Sequence, residues 1–431
     1  MEELARESIS LLASASAKPP LDVAAAPRLG SMGAIFIMLK SALGAGLLNF
    51  PWAFERAGGI RITLHFCVFV SGGLIILGYS SSISGQCTYQ AVVKEVCGPA
   101  IGQLCEICFV FNLFMISVAF LVIVDDQLEK CEFFYSSMPY HFYTDQRFAL
   151  VLLCILLILP LSIPKEISIQ KYIRSGLMLH STREEELVHE MSCCADLKKT
   201  YIIIAFGCTW LQMWDLISHL CVLQCHEASI AIYSSMANQR LSHWVLISVV
   251  SMIFCLVIYS LTGVYGYLTF GKNVKADILM SYTGDDILML IARLLFGVSI
   301  ITIYPIILLL GRSVIQDPLL SWRRRRYGMV TVEFESRSRC ALTVLWITVT
   351  LLIAVFVPDI SKVISVIGGI SAFFIFIFPG QLIHSSISIF LFCRLLSRVV
   401  LTVWGVVTLI SGAFIFGQST TIAVMQLLGR I

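Results

Sequence analysis

The 431-residue chain is 58% apolar and 13% charged, with a mean hydropathy of +0.88. A water-soluble domain of this length cannot hide so much apolar surface, so the chain reads as membrane-embedded. The net charge of +3 is gathered between apolar runs, above all in Arg323, Arg324, Arg325 and Arg326, and therefore reports topology rather than a nucleic-acid partner. Fifteen cysteines are scattered without metal-ligand spacing, and Cys193 and Cys194 are adjacent. With no metal motif, nucleophile elbow or phosphate loop, the sequence offers no enzyme and calls for no cofactor.

In chain order, residues 1–31 form a polar Ala/Ser/Pro-rich segment, read as an uncleaved, disordered cytoplasmic tail, and 32–431 a transmembrane domain. A crossing helix needs roughly 20 apolar residues for a core of about 30 Å. Residues 32–54, 62–84, 101–124, 244–268, 287–310, 341–357, 363–385 and 399–427 meet this, and 148–163 is a shorter ninth run. The predicted class is an all-α polytopic membrane protein, because in lipid every backbone amide must be paired inside its own segment. The four-arginine linker at 312–339 belongs in the cytoplasm, as do the basic residues at 165–174 and 240–243, while the acidic stretch 125–145 falls outside. These assignments need an even number of spans between Lys171 and Arg240. Residues 181–199 are polar, and the roughly 36 positions of 201–236 reach only about 54 Å, short of the roughly 60 Å of two crossings. The segment 175–214 is therefore atypical: a truncated fifth span, or a product of aberrant processing of its gene.

Several polar or irregular points interrupt the apolar runs. Gly44, Ala45 and Gly46, with Asn49 and Pro51 close behind, break the first span near mid-bilayer. Broken helices of this kind bind substrate in transporters, half-helix ends facing a carboxylate and freed carbonyls facing a cation; close packing through small residues is the plainer alternative. Lys40, one turn earlier, either snorkels to the interface or serves as a fixed cation. Gln224, Cys225, His226 and Glu227 cluster polar groups where a sixth span is expected, a place for proton exchange, for pairing with Lys40, or for an ordinary polar helix end. Ser299 and Thr302, three residues apart before Pro305, share a helix face where hydroxyls could ligate sodium, or simply bond back to helix carbonyls. Gly368–Gly369 and Phe378-Pro379-Gly380 suggest packing and a kink.

The strings at 40–51, 224–227, 259–271 and 367–380 resemble the sodium-coupled neutral amino acid transporters of the system A/system N solute carrier family, over 32–172 and again from 224 onward. The resemblance implies the LeuT-type inverted-repeat fold, about 10–11 transmembrane helices with breaks in spans 1 and 6, working as a plasma-membrane monomer with its N-terminus in the cytoplasm. It implies secondary active transport of small neutral amino acids such as glutamine by alternating access, driven by sodium or protons. The expected substrate-binding residues are Ser41, Gly44, Ala45, Gly46, Asn49, Gln224, Cys225 and His226. The expected ion-coupling residues are Lys40, Glu227, Ser299 and Thr302, with a possible sodium at Ser299 and Thr302. The chain departs from the family pattern in three places: Lys40 stands where an asparagine is common, Cys221-Val222-Leu223 replaces an aromatic-glycine-aromatic string, and the fifth span lacks its apolar run. A non-transporting amino-acid sensor and an inactive aberrant product stay open as alternatives.

Overall fold

The structure, a computed structural model, describes residues 30–43, 50–53, 60–134, 146–164, 225–275, 277–282, 287–329, 331–357, 359–389 and 395–427. Its principal helices are α1 (Ser31–Leu43), α2 (Ile60–Ser84), α3 (Tyr89–Cys97), α4 (Pro99–Phe134) and α5 (Gln146–Leu153, continuing through Cys154–Ile158 and Leu159–Ser162). After residues 165–224 come α6 (Cys225–Ser235), α7 (Leu241–Phe270), α8 (Ile287–Tyr327), α9 (Val332–Phe356), α10 (Ile360–Ala372, continuing through Phe373–Ile377 and Phe378–Ile389) and α11 (Leu395–Leu427). Among the described residues six helical segments are long and apolar enough to cross a membrane, and Phe69–Ser84 and Arg147–Ser162 are shorter apolar ones. Each expected span coincides with helix over its described part. The atypical segment 175–214 lies outside the described residues.

Two elements depart from the sequence reading. Helix α3 is too short and too mixed to register as a span. It forms because Thr88 caps it, Oγ1 accepting from the Ala91 amide at 3.4 Å, and because Tyr89, Val92 and Val93 share a buried face. The four-arginine stretch, read as part of a linker, is the last turns of α8. Arginine is a good helix former, cations suit a helix C-terminus, and the Arg323 guanidinium sits over the Phe334 ring of α9 at 3.6 Å.

The helices pack in two groups. Met38, Val70, Leu74, Cys225, Tyr233, Trp244 and Tyr259 bring α1, α2, α6 and α7 into one core. Leu113, Ile123, Leu150, Tyr304, Leu308, Trp346 and Ile347 bring α4, α5, α8 and α9 into another. Helix α10 serves both: Ala372, Ile375 and Phe376 enter the first core, and Ile360, Ile364 and Ile367 the second. Between them Phe374 and Phe378 close on Leu77, Tyr89 and Cys105. On the outer faces Ile253 and Phe254 of α7, Leu345 and Leu352 of α9, and Ile410 of α11 are exposed, as lipid-facing positions must be.

Helix α2 acts as a spacer through its glycines. A Cβ at Gly72 would lie 2.8 Å from the Trp404 ring, at Gly73 2.8 Å from His226 Nε2, and at Gly78 2.3 Å from Trp244 Nε1. Three helices thus each press one ring onto α2 where no side chain stands in the way. The expected kink at Phe378-Pro379 is realised one turn earlier as a π-helical turn, Phe373–Ile377; a second, Cys154–Ile158, precedes Pro160 in the same way. Proline has no N–H to return to the preceding turn, and a widened turn relieves the ring's clash there.

Candidate substrate and ion site

Helix α1 is described to Leu43, and residues 50–53 are helical. Gly44, Ala45, Gly46 and Asn49 lie between these stretches and Gln224 just before α6, all outside the described residues. Residues on both sides of 44–49 are held by α7. Tyr259 Oη donates to the Ala42 carbonyl at 2.8 Å, its ring meets Phe50 edge-on at 4.8 Å, and Pro51 approaches Gly266 so closely that a Cβ there would lie 2.5 Å from it. Tyr259, which the sequence reading gave no role, therefore binds the backbone next to the expected break. Its signal was a polar aromatic within a run of strongly apolar residues.

Cys225 and His226, expected to mark the site in span six, are both fully buried. His226 Nε2 meets the Val70 carbonyl at 3.2 Å, and only an N–H can bond there, so in the neutral ring Nδ1 keeps the lone pair. That nitrogen faces Cys225 Sγ at 3.8 Å. The ring is seated on α2 above Gly73, as a joint between α6 and α2. Ser229 Oγ donates to the His226 carbonyl at 2.6 Å and holds the turn that carries it.

Glu227 points the other way, toward α4, where Asn112 Nδ2 donates to its Oε1. Asn112 is fully buried and its Oδ1 has no hydrogen-bond partner. The sequence reading missed this amide, although a lone asparagine in the apolar run 101–124 is the kind of residue that marks function inside a membrane. Lys40 and Ser41 lie on α1, and Ser299 and Thr302 on α8, by backbone position alone.

Two polar networks lie at the ends of the second helix group. Between α7 and α8, Asp277 Oδ2 accepts from Gln127 Nε2 of α4 at 2.8 Å and Oδ1 from the Leu279 amide at 2.9 Å. Burial pushes its carboxyl up to about 6, opposed by those two hydrogen bonds and the Arg293 guanidinium. Arg293, itself fully buried, donates to the carbonyls of Leu279 and Tyr282 at 2.9 and 3.0 Å. At the other end Arg312 donates to the Ser162 and Pro164 carbonyls at 2.9 and 3.2 Å and to Thr343 Oγ1 at 2.8 Å, joining α5, α8 and α9. Among the described residues no group of three His, Cys, Asp or Glu side chains could hold a metal ion.

Comparison with known proteins agrees with this architecture. The chain matches the transmembrane amino acid transporter protein family over residues 28–176 and 222–424. A Xenopus tropicalis relative is 52% identical with both chains covered in full. Human solute carrier family 38 member 8 is 47% identical over 95% of this chain and 97% of its own. Sodium-coupled neutral amino acid transporter 7 of Danio rerio is 40% identical over 92% and 87%. Among solved structures, MhsT in complex with L-phenylalanine superposes with a TM-score of 0.55 over 90% of this chain and 98% of its own, at 13% identity. A manganese transporter of Eremococcus coleocola gives 0.54 over 93% of each, at 10% identity. These two likenesses speak to the fold, which is of the LeuT type. With the family's pattern covering most of the sequence on either side of the atypical segment, the chain belongs to the transmembrane amino acid transporter family, a family of membrane carriers and not of enzymes.

Proposed function

We propose that the chain carries small neutral amino acids such as glutamine across the plasma membrane, as a monomer with a cytoplasmic N-terminus, by alternating access driven by sodium or protons. The observation that carries this reading is the family match on both sides of the atypical segment, with relatives named as sodium-coupled neutral amino acid transporters. The substrate carboxylate would meet the backbone of Gly44, Ala45 and Gly46 between Ser41 and Asn49, with Gln224, Cys225 and His226 opposite. Ser299 and Thr302, one turn apart on α8, would face the coupling ion. A Lys40 ammonium pointing inward would itself take the place of that ion: at about 5 Å and an effective dielectric near 20, it repels sodium by roughly 3 kcal/mol.

A second reading has an observation of its own. The family match omits 177–221, and the alignment with the Xenopus relative runs over 468 positions against 431 residues here, so parts of that relative have no counterpart in this chain. This supports an aberrant product lacking an apolar fifth span of roughly 20 residues. Uptake of labelled glutamine into proteoliposomes separates the readings when run with sodium and with choline. The chain as it stands should transport poorly, and a version with an apolar fifth span in place of 175–214 should transport well. In that version Gly46→Val should abolish uptake and Lys40→Asn should strengthen its sodium dependence. Robust uptake by the unaltered chain removes the aberrant-product reading; no uptake by either version, at equal surface expression, removes the transporter reading.

A further inference from the structure

Among the described residues most of the side-chain hydrogen bonds that join helices stay within one of the two groups. His226 to Val70, Trp244 to Leu74 and Tyr259 to Ala42 keep among α1, α2, α6 and α7. Trp346 to Ser117, Tyr304 with Thr350, and Arg312 to Ser162 and Thr343 keep among α4, α5, α8 and α9. The bond from Asn112 of α4 to Glu227 of α6 crosses from one group to the other. It also leaves something unfinished, because Asn112 is fully buried and its Oδ1 lacks a donor. A carboxylate has no hydrogen to offer and can satisfy only the Nδ2 side of that amide. A carboxylic acid can satisfy both sides, accepting from Nδ2 on one oxygen and donating O–H to Oδ1 from the other.

We infer that Glu227 and Asn112 form a proton-binding latch between the two helix groups, closed when Glu227 carries the proton and loosened when it gives the proton up. The step is a simple transfer: a proton from water on one side of the membrane forms an O–H bond on Glu227, and the same bond breaks when the proton leaves to the other side. Among the described residues the titratable groups of neighbouring elements that the Glu227 charge reaches are Tyr89 of α3 and Cys105 of α4. Tyr89 is already committed, its hydroxyl donating to the Phe374 carbonyl of α10 at 3.0 Å. On α6 itself the adjacent His226 is turned away onto α2. Among the described residues the hydrogen-bonding side chain that meets Glu227 is Asn112. The pair is also suitably placed for coupling, since Glu227 directly follows the two residues expected to meet substrate. The inference rests on the transporter reading for its consequence, though not for the existence of the site.

Infrared titration of the purified full-length chain in detergent tests the site by itself. The native protein should show a protonated-carboxyl band that Glu227→Gln removes, and Asn112→Ala should displace its pH midpoint by about one unit. A band unchanged in both variants overturns the latch whatever the transport result, and so does a Glu227 band that is insensitive to pH and responds to sodium instead. Its role in coupling is read in proteoliposomes holding a pH dye, using the version with an apolar fifth span. Glutamine added outside should move protons in the native sequence. Glu227→Gln, whose amide keeps a donor for Asn112 Oδ1, should retain exchange of labelled for unlabelled glutamine and lose the proton movement. Proton movement undiminished in Glu227→Gln overturns the coupling, whereas failure of exchange in the native sequence counts against the transporter reading and leaves the infrared result to decide the site.

Discussion

In α1, α2, α6 and α7 the polar side chains bond to carbonyls of neighbouring helices, two of them in the middle of α2, whereas among α5, α8 and α9 the Arg312 guanidinium bonds to carbonyls at a helix end. The difference decides which group can shift. The Val70 and Leu74 carbonyls lie inside α2 and keep a helical N–H even if His226 or Trp244 lets go, so releasing either ring orphans no backbone group. The Ser162 and Pro164 carbonyls lie at the end of α5 and accept from Arg312, which is itself buried. On this contrast the first group is expected to shift more readily than the second. The glycines of α2 agree with this division, since each offers a smooth seat to a ring from another helix.

The strongest way to break the comparison is to remove the clamp from the fixed group. Arg312→Ala strips donors from two helix-end carbonyls and from Thr343, and should cost on the order of 3 kcal/mol. Thermal unfolding in detergent, read with and without glutamine, should show the same large drop in both cases, because the clamp belongs to the frame and not to one transport state. A drop of less than about 1 kcal/mol would mean that α5, α8 and α9 are not held as their geometry implies.

The link between the groups should respond to pH. Residues 271–286 connect α7 to α8, and Asp277 docks them on Gln127 of the fixed group. Burial holds the docked carboxyl at about 6 against an ordinary value of 3.8, so the docked loop binds a proton that the undocked loop has already lost. Docking is therefore strongest at acid pH, weakens as pH rises from about 4 to 6, and is constant above that. The difference between pH 4.5 and 7.5 comes to about 2 kcal/mol. Hydrogen exchange at 277–282, corrected for the intrinsic pH dependence, should be faster at pH 7.5, and Asp277→Asn should remove the change. Slower exchange at pH 7.5 would reverse the sign and make the Arg293 charge the dominant influence.

The spans were legible in the sequence because lipid leaves a plain signature: the apolar runs 244–268 and 363–385 lie within Leu241–Phe270 and Ile360–Ile389. Helix α3 was not legible, since a nine-residue amphipathic helix depends on a cap and a tertiary seat that no window of hydropathy detects. The arginine run was misread because charge implies exposure and says nothing against helix. For the site, composition pointed to His226 and Glu227 but could not say that the first would seat on α2 and the second reach α4. A polar residue in an apolar run advertises that it needs a partner, and Asn112 lies 115 positions away from the one it finds. Lys40, Ser41, Ser299 and Thr302 are placed by the backbone on α1 and α8 and go no further.

The finest test of the sliding group is a coupling energy rather than a loss. Gly78 lies under the Trp244 ring, where a Cβ would come within 2.3 Å of Nε1 and 2.4 Å of Cδ1. Both belong to the indole ring, which alanine at position 244 would remove. Gly78→Ala should therefore force Trp244 off the Leu74 carbonyl and cost about 2 kcal/mol by overpacking. Trp244→Ala alone should cost about 4 kcal/mol for the buried ring and its hydrogen bond. Combined, the two changes relieve each other, since without the ring nothing stands over the new methyl group. The double variant should be more stable than the two losses added together by about 1 kcal/mol. If the losses simply add, the rings are not seated on the glycines, and α2 is fixed to α7 by contacts elsewhere along their length.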